Sequence, residues 1–247
     1  MPKFFVSNKQ VKNNKIEVVG IDVNHITNVL RLDINDEIII CNKETGDNYL
    51  TKITEKDKEK LICEVLEKMV SEESNVEITI FQGLPKADKM ELIIQKCTEL
   101  GVKKIVPVHM ERCVVKLDEK TAIKKIERWQ KIAEASAKQC KRNDIPIIEH
   151  VNSIEDICSR VKDYDAVFVP YENEKNKSFK TILQSLKKES LKIGIVIGPE
   201  GGFTEKEISK LEKFNSKIVT LGSRILRTET VAIVMTSIIT YELNDLG

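Results

Sequence analysis

Hydrophobic and polar positions alternate over short stretches in the first part of the chain. They give way to longer apolar runs after about residue 75. FFVSN, KIEVV, DEIIICN, YLTKITE and LICEVLEK are short alternating or apolar segments separated by Asn, Gly and charged residues. That rhythm predicts the strands of a small barrel or curled sheet. One helix is predicted among them at 22–32, with Asp22 as N-cap and Val23, Ile26 and Leu30 on one face. The charged KDKEK run at 56–60 predicts a solvated hairpin tip, and the polar SEESN run at 71–75 predicts a linker. These signals place a first domain at 1–70 and a second at 76–247.

The second domain alternates strand and helix. Strands are predicted at 76–82, 105–110, 145–149, 166–170, 192–197 and 217–221. Helices are predicted at 86–100, 119–139, 154–161, 178–187, 205–213 and 228–243. Continuous apolar strands such as IGIVI suit a parallel sheet covered on both faces, so the fold class is α/β. Thr204-Glu205-Lys206-Glu207 reads as a capping box, whose helix start would aim free N–H groups at the glycine turn before it. Val231, Val234, Met235, Ile238, Ile239 and Leu243 give the last helix a broad apolar face, serving a core or a subunit interface.

Composition narrows the function classes. Lys and Arg number 40 against 39 Asp and Glu, so the net charge of +1 gives no global attraction to nucleic acid, and any basic surface is local. No apolar run reaches the roughly 18 residues of a membrane span, and MPKFFVSNK does not read as a signal peptide. The six cysteines form no CxxC pair, and with three isolated histidines they leave no metal-ligand cluster. The chain therefore reads as cytoplasmic, metal-free and not membrane-bound, with reduced cysteines used for packing.

The densest chemistry lies at 193–230: IGIVIGPEGGFTEKEI, a short gap, then IVTLGSRILRTET. Each half is a buried-looking strand, a glycine-bearing turn and a helix. Glycine removes the Cβ and permits positive φ, which lets a ligand reach the backbone. A GxxxxGK[ST] loop and a GxGxxG fingerprint are both absent. What remains is a ligand site of turns at strand C-termini, where open α/β sheets bind. A basic stripe of Lys124, Arg128, Lys131, Lys138 and Arg142 follows one face of the long helix and its exit. It reads either as a solvated face or as a track for a phosphate backbone. Trp129 reads as packing, and His25, His109 and His150 carry no assigned role. Glu200, an acid among glycines, reads as a functional residue or as a helix-start carboxylate.

GPEGGFTEKEI followed by LGSRILRTET resembles the RsmE family of 16S ribosomal RNA uridine N3-methyltransferases, within the SPOUT superfamily. PKFFV, HITNVLRL, QGLPKADKMELIIQKCTELGV and ERWQKIAEASAKQCKRNDIPII extend the resemblance over nearly the whole chain in the family's order. It implies a PUA-like β-barrel RNA-binding domain followed by a trefoil-knotted, parallel-sheet methyltransferase domain. It implies S-adenosyl-L-methionine as cofactor, 16S rRNA of the small ribosomal subunit as partner and substrate, and a homodimer. Cofactor contacts are implied at Ile197, Gly198, Pro199, Glu200, Gly201, Gly202, Leu221, Gly222, Ile225, Leu226, Arg227 and Thr228. Catalytic roles fall to Arg142, Glu200 and Arg227, and RNA contacts to Lys3, Arg31 and the basic stripe. The sequence departs from the family where Lys3 replaces a frequent Arg, in lacking a usual Gly near Asn35, and where Val231 replaces a usual Ala. A knotted methyltransferase acting on another nucleoside, or a non-catalytic RNA-binding module, are the competing readings.

Overall fold

The computed structural model describes residues 1–69, 75–186 and 191–243; most of the expected linker at 71–75 and the end of the helix expected at 178–187 lie outside them. By contact the chain divides into two compact units: Met1–Glu73 with Ala137–Ile145, and Ser74–Ser136 with Pro146–Gly247.

The first unit is a six-stranded curled sheet. Its strands are β1 (Lys3–Val6), β2 (Val11–Lys12), β3 (Lys15–Val19), β4 (Glu37–Asn42), β5 (Asn48–Lys56) and β6 (Lys60–Met69). They lie in the order β1-β4-β5-β6-β3-β2, with β1 parallel to β4 and the other pairs antiparallel. Alternate residues point inward, so Phe4, Ile16, Val18, Ile38, Ile40, Ile53 and Leu61 form a closed core. The 137–145 segment completes a second cluster with Phe5 and Cys41, through Ala137 and Ile145.

The helix expected at 22–32 is replaced by a shorter device. Helix α1 (Ile21–Asn24) begins at Gly20, whose φ is 76°, and continues as a wide π-type turn over His25–Val29. The Leu30 N–H bonds to the His25 carbonyl at 2.9 Å. Widening the turn rotates Leu30 off the buried face, so Val23 and Ile26 are buried while Leu30 is exposed. Leu32 packs against the core instead. Asp22 is not the cap; its carboxylate pairs with Lys138 at 2.8 Å.

The second unit runs β7 (Val76–Gly83), α2 (Lys89–Glu99), β8 (Lys104–His109), α3 (Glu119–Gln139), β9 (Ile147–Ile148), β10 (Asn152–Ser153), α4 (Ile154–Arg160), β11 (Ala166–Pro170), α5 (Phe179–Gln184), β12 (Leu191–Ile197), α6 (Glu205–Lys213), β13 (Lys217–Val219) and α7 (Thr228–Glu242). The last residues of α3 group with the first unit. All described pairs in this sheet are parallel, in the order β10-β8-β7-β12-β11-β13, with β9 also beside β8. The apolar IGIVI run is buried on both faces, as a covered parallel strand requires. The chain leaves β7 toward β8 on one side and later returns β12 to the other side. The C-terminal ends of β7 and β12 are thus a topological switch point, where such sheets open a crevice.

Helix α7 packs on α2. Its buried face is Ala232, Met235, Thr236, Ile239 and Thr240, offset from the apolar face read in the sequence. The threonines fit there because their hydroxyls donate to carbonyls one turn back, Thr236 to Ala232 at 2.7 Å and Thr240 to Thr236 at 3.0 Å. Val231, Val234 and Ile238 are left half-buried. Five of the six cysteines are buried. Burial pushes the Cys97 thiol up to about 12 and Cys41 to about 11, as packing residues rather than nucleophiles. Among the described residues no helix is long and apolar enough to cross a membrane, and no cluster of three or more His, Cys, Asp or Glu could hold a metal.

Candidate functional site

Strand β12 ends at Ile197, and the chain turns through Gly198, Pro199, Glu200, Gly201 and Gly202 into α6. A cavity of about 380 Å³ opens against this turn. Ile197 through Phe203 form one wall, Ile225 through Thr228 with Val231 form another, and Pro170, Glu172 and Lys89 complete it. Ten of the residues assigned to the cofactor from sequence line the cavity: Ile197, Gly198, Pro199, Glu200, Gly201, Gly202, Ile225, Leu226, Arg227 and Thr228. Leu221 and Gly222 do not; Gly222 instead turns the chain with φ +106° and space around its Cα.

The glycines are explained first by the protein's own packing. A Cβ on Gly83 would lie 2.7 Å from the Pro199 ring, so the exits of β7 and β12 touch. A Cβ on Gly201 would lie 2.9 Å from Arg112 Cβ and 3.2 Å from its carbonyl oxygen, and Arg112 Nη1 donates to the Gly201 carbonyl at 3.0 Å. Gly202 has φ +67°, the left-handed region that favours glycine. The turn is therefore shaped from behind as well as from the cavity side.

Two cross-links tie the walls together. The Gln82 amide, buried at the end of β7, donates through Nε2 to Gly83 O at 2.9 Å and to Thr228 Oγ1 at 2.8 Å. The Thr228 hydroxyl donates onward to Gly198 O at 2.7 Å. Gln82 Oε1 is buried without a hydrogen-bond partner among the described residues, an acceptor left over beside this relay. The second link is ionic. Glu200 Oε1 accepts the Lys86 N–H at 3.0 Å and lies 2.9 Å from Lys89 Nζ. Burial raises the Glu200 carboxyl, but the hydrogen bonds from Lys89 and the backbone outweigh it and hold it below its ordinary value. The hydrogen bond to Glu200 holds the Lys89 ammonium above its usual value.

The capping box before α6 forms as expected: Glu207 N–H donates to Thr204 Oγ1 at 3.3 Å and Thr204 N–H to Glu207 Oε2 at 2.8 Å. Glu207 Oε1 also accepts the Glu111 N–H at 2.9 Å. This corrects one expectation. The α6 start serves its own cap, and Arg227 and Thr228 at the start of α7 are the helix terminus that lines the cavity. That positive dipole end favours electron-rich ligand atoms.

The remaining residues assigned from sequence are dispersed. Arg142 belongs to the first unit, with its side chain 11% exposed and its Nη2 2.8 Å from Asp144. Of the stripe, Arg128 pairs with Glu91 and Lys138 with Asp22, each at 2.8 Å, while Lys124 and Lys131 are exposed. The stripe is thus not one uninterrupted row of solvent-facing cations, because acids from other elements engage two of its helix positions. Lys3 donates to Asn143 Oδ1 at 2.6 Å, and burial lowers its ammonium. Arg31 is exposed at φ 57°. Trp129 is buried beneath Lys125, as a packing residue. Sequence reasoning missed Gln82, Lys89, Arg112 and Glu172. The first two lie in the QGLPKADKMEL segment, whose polar residues at a strand exit and a helix start were the available signal.

A family model for an RNA methyltransferase domain matches residues 72–240, and one for an RNA methyltransferase PUA domain matches residues 21–66. A ribosomal RNA small subunit methyltransferase E of Bacillus subtilis is 40% identical over 230 residues, covering 91% of this chain and 89% of that protein. A solved structure of the methyltransferase of that name from Neisseria gonorrhoeae, bound to S-adenosyl methionine, superposes with a TM-score of 0.84. It is 29% identical and covers 98% of this chain and 97% of that one. A methyltransferase of Legionella pneumophila with bound SAM gives 0.83 at 26% identity, covering 97% and 96%.

Proposed function

Because this chain belongs to the ribosomal RNA small subunit methyltransferase E family, we propose that it methylates N3 of a uridine in 16S rRNA, using S-adenosyl-L-methionine. The observation that carries this reading is the cavity at the switch point, walled by the two glycine-bearing loops and cross-linked through Gln82, Thr228 and Gly198. Its volume of about 380 Å³ falls in the range of about 300–1,000 Å³ usual for small-molecule sites.

The lining suits the cofactor chemically. Pro170, Ile197, Phe203, Leu226 and Val231 offer apolar surface for an adenine ring, and the backbone of the two loops offers donors and acceptors for its edge. Glu172 supplies negative charge suited to a cationic group. S-adenosyl-L-methionine supplies an electrophilic methyl group on a sulfonium centre. The chain's own part is to hold the loops, admit the base and manage its proton. Uridine N3 is an imide nitrogen and attacks after losing its proton, so charge on the flanking carbonyls must be stabilised. Arg227, exposed at the cavity rim, and Arg142 are the cations we assign to RNA phosphate or to that developing charge. Glu200 is assigned to holding the turn, because its carboxylate already receives Lys86 and Lys89. Leu221 and Gly222 are assigned to shaping the second loop. A knotted arrangement of these loops, RNA contacts by Lys3, Arg31, Lys124, Arg128, Lys131 and Lys138, and a homodimer belong to the same proposal. The half-buried Val231, Val234 and Ile238 on α7 support the dimer.

Mass mapping of nucleosides in 16S rRNA from cells with and without the gene tests the function. Loss of N3-methyluridine without the gene is expected. An unchanged level sinks the uridine assignment, and loss of another methylated nucleoside redirects it. Calorimetric titration with S-adenosyl-L-methionine separates an enzyme from a pure RNA-binding module, which binds none.

A further inference from the structure

The start of α2 brings a cation between the two loops. Ala87 has φ 53°, a left-handed conformation that turns the chain after Leu84 and Pro85. Lys89 is the first residue of the helix that follows. Its Nζ lies 2.9 Å from Glu200 Oε1 and 3.4 Å from Glu229 Oε2, the second an ion-pair distance at which the buried Glu229 Oε2 makes no hydrogen bond among the described residues. Glu200 belongs to the turn after β12, and Glu229 to the first turn of α7, next to Thr228. The three side chains are 28%, 26% and 14% exposed, so the cluster is partly shielded from water. Two carboxylates, one from the 198–202 turn and one from the first turn of α7, converge on one ammonium, and without it they would repel each other. The Gln82 relay ties the roots of the same two loops with neutral hydrogen bonds. Lys89 ties them a second time, at the cavity wall, with charge.

We propose that Lys89 is a positioning residue of the methyl-transfer site, clasping the 198–202 turn to the start of α7 through Glu200 and Glu229. This rests on the cofactor reading given above. The clasp fixes the distance between the two walls before the cofactor enters, so the cost of ordering them is met during folding.

The test uses the full chain and S-adenosyl-L-methionine as the titrant. No binding by the unaltered protein overturns the cofactor reading and the clasp with it. Normal binding there makes the variants decisive for the clasp alone. Lys89→Met keeps the length of the side chain and removes its charge, and is expected to raise Kd about ten-fold or more. The KM for 16S rRNA is expected to stay within about two-fold, because the clasp acts on the cofactor walls. Lys89→Arg is expected to return Kd to within about three-fold of the starting protein. Glu229→Gln, which leaves Lys89 in place, is expected to weaken binding in the same direction by about three-fold. The double variant Lys89→Met/Glu229→Gln is expected to bind no more weakly than Lys89→Met alone, since both remove one clasp. Four results would overturn the clasp. They are Lys89→Met within about two-fold of normal, Lys89→Arg as weak as Lys89→Met, Glu229→Gln without effect, or additive losses in the double variant. An effect of Lys89→Met without one of Glu229→Gln would mean that Lys89 touches the cofactor directly. Circular dichroism checks the fold, and should Lys89→Met not fold, Glu229→Gln without effect, or Lys89→Arg weakened by about ten-fold or more, overturns the clasp.

Discussion

At the scale of single residues, the glycine turn owes its composition to one close neighbour and one backbone angle. Arg112 crowds Gly201 from behind, and Gly202 sits at φ +67°. Gly201→Val must separate the turn from Arg112, and Gly201 also lines the cavity, so the displacement reaches the binding wall. Calorimetry is expected to show cofactor affinity down by about ten-fold or more, since overpacking a fixed backbone contact costs about 1–3 kcal/mol. Retained affinity would mean the turn does not form the binding wall. Glu200 and Lys89 set a pH window. Glu200 titrates below its ordinary value of 4.5, so its contribution is complete above that value and is lost as pH falls through the lowered one. Lys89 titrates above 10.5, so its contribution is complete below 10.5 and is lost at higher pH. Cofactor affinity is therefore expected to be flat from about pH 6 to 9 as far as this pair is concerned. A break near neutrality that vanishes in Glu200→Gln would show that Glu200 titrates there and serves as a base. Asn35 offers a third check. It holds φ 77°, a left-handed conformation that Asn adopts more readily than other residues apart from glycine. Asn35→Gly is expected to leave thermal stability unchanged or raise it by up to about 1 kcal/mol, whereas Asn35→Val lowers it.

At the scale of elements, the α6 start is the best-specified joint near the site. Its capping box uses Thr204 and Glu207, and Glu207 also holds the Glu111 backbone after β8. Thr204→Ala is expected to cost about 1 kcal/mol, seen by calorimetry as a fall in Tm of about 2–4 °C. No fall would mean the box is satisfied by water in solution. This joint was legible because its signal is local: four residues in sequence specify it. Buried strands such as IGIVI were legible for the same reason. Elements whose form depends on distant partners were not. Strand β10 is only Asn152 and Ser153, and it exists because β8 offers a free edge. The π-type turn at His25–Val29 shifts Leu30 outward, a change that helical periodicity does not encode. The buried face of α7 includes Thr236 and Thr240, which pattern reading counts as polar although each satisfies its hydroxyl within the helix. Site residues divide in the same way. The loop residues 197–202 and 225–228 came from a continuous motif, whereas Lys89 and Gln82 join the site only through the order of strands.

At the scale of the whole molecule, the chain is cut differently from its composition. Residues 137–145 belong with the first unit although a polar stretch at 71–75 looks like the boundary. They supply Ala137 and Ile145 to a core cluster with Phe5 and Cys41, Asn143 to Lys3, and Lys138 to Asp22. The Asn143 carbonyl also accepts the Cys41 thiol at 2.7 Å. A fragment of residues 1–69 therefore lacks part of its own core. Its amide spectrum is expected to show poor dispersion, and a fully dispersed, stable fragment would contradict this. The same partition separates two duties. Arg142 lies in the first unit, whereas every residue lining the cavity lies in the second. If Arg142 serves the RNA, its loss is expected to spare the cofactor. Arg142→Ala removes a cation held 2.8 Å from Asp144, so some loss of stability in the first unit is expected. Asp144→Asn is the control, because it breaks that pair and keeps the Arg142 charge. With Arg142→Ala, methyl transfer to 16S rRNA is expected to fall by about 100-fold or more, as when a charge-stabilising donor is removed. Calorimetric affinity for S-adenosyl-L-methionine is expected to stay near normal, and Asp144→Asn to retain most of the transfer. Weakened cofactor binding with intact RNA binding would place Arg142 in the other role. Equal losses in both variants would reduce it to a structural residue of the first unit.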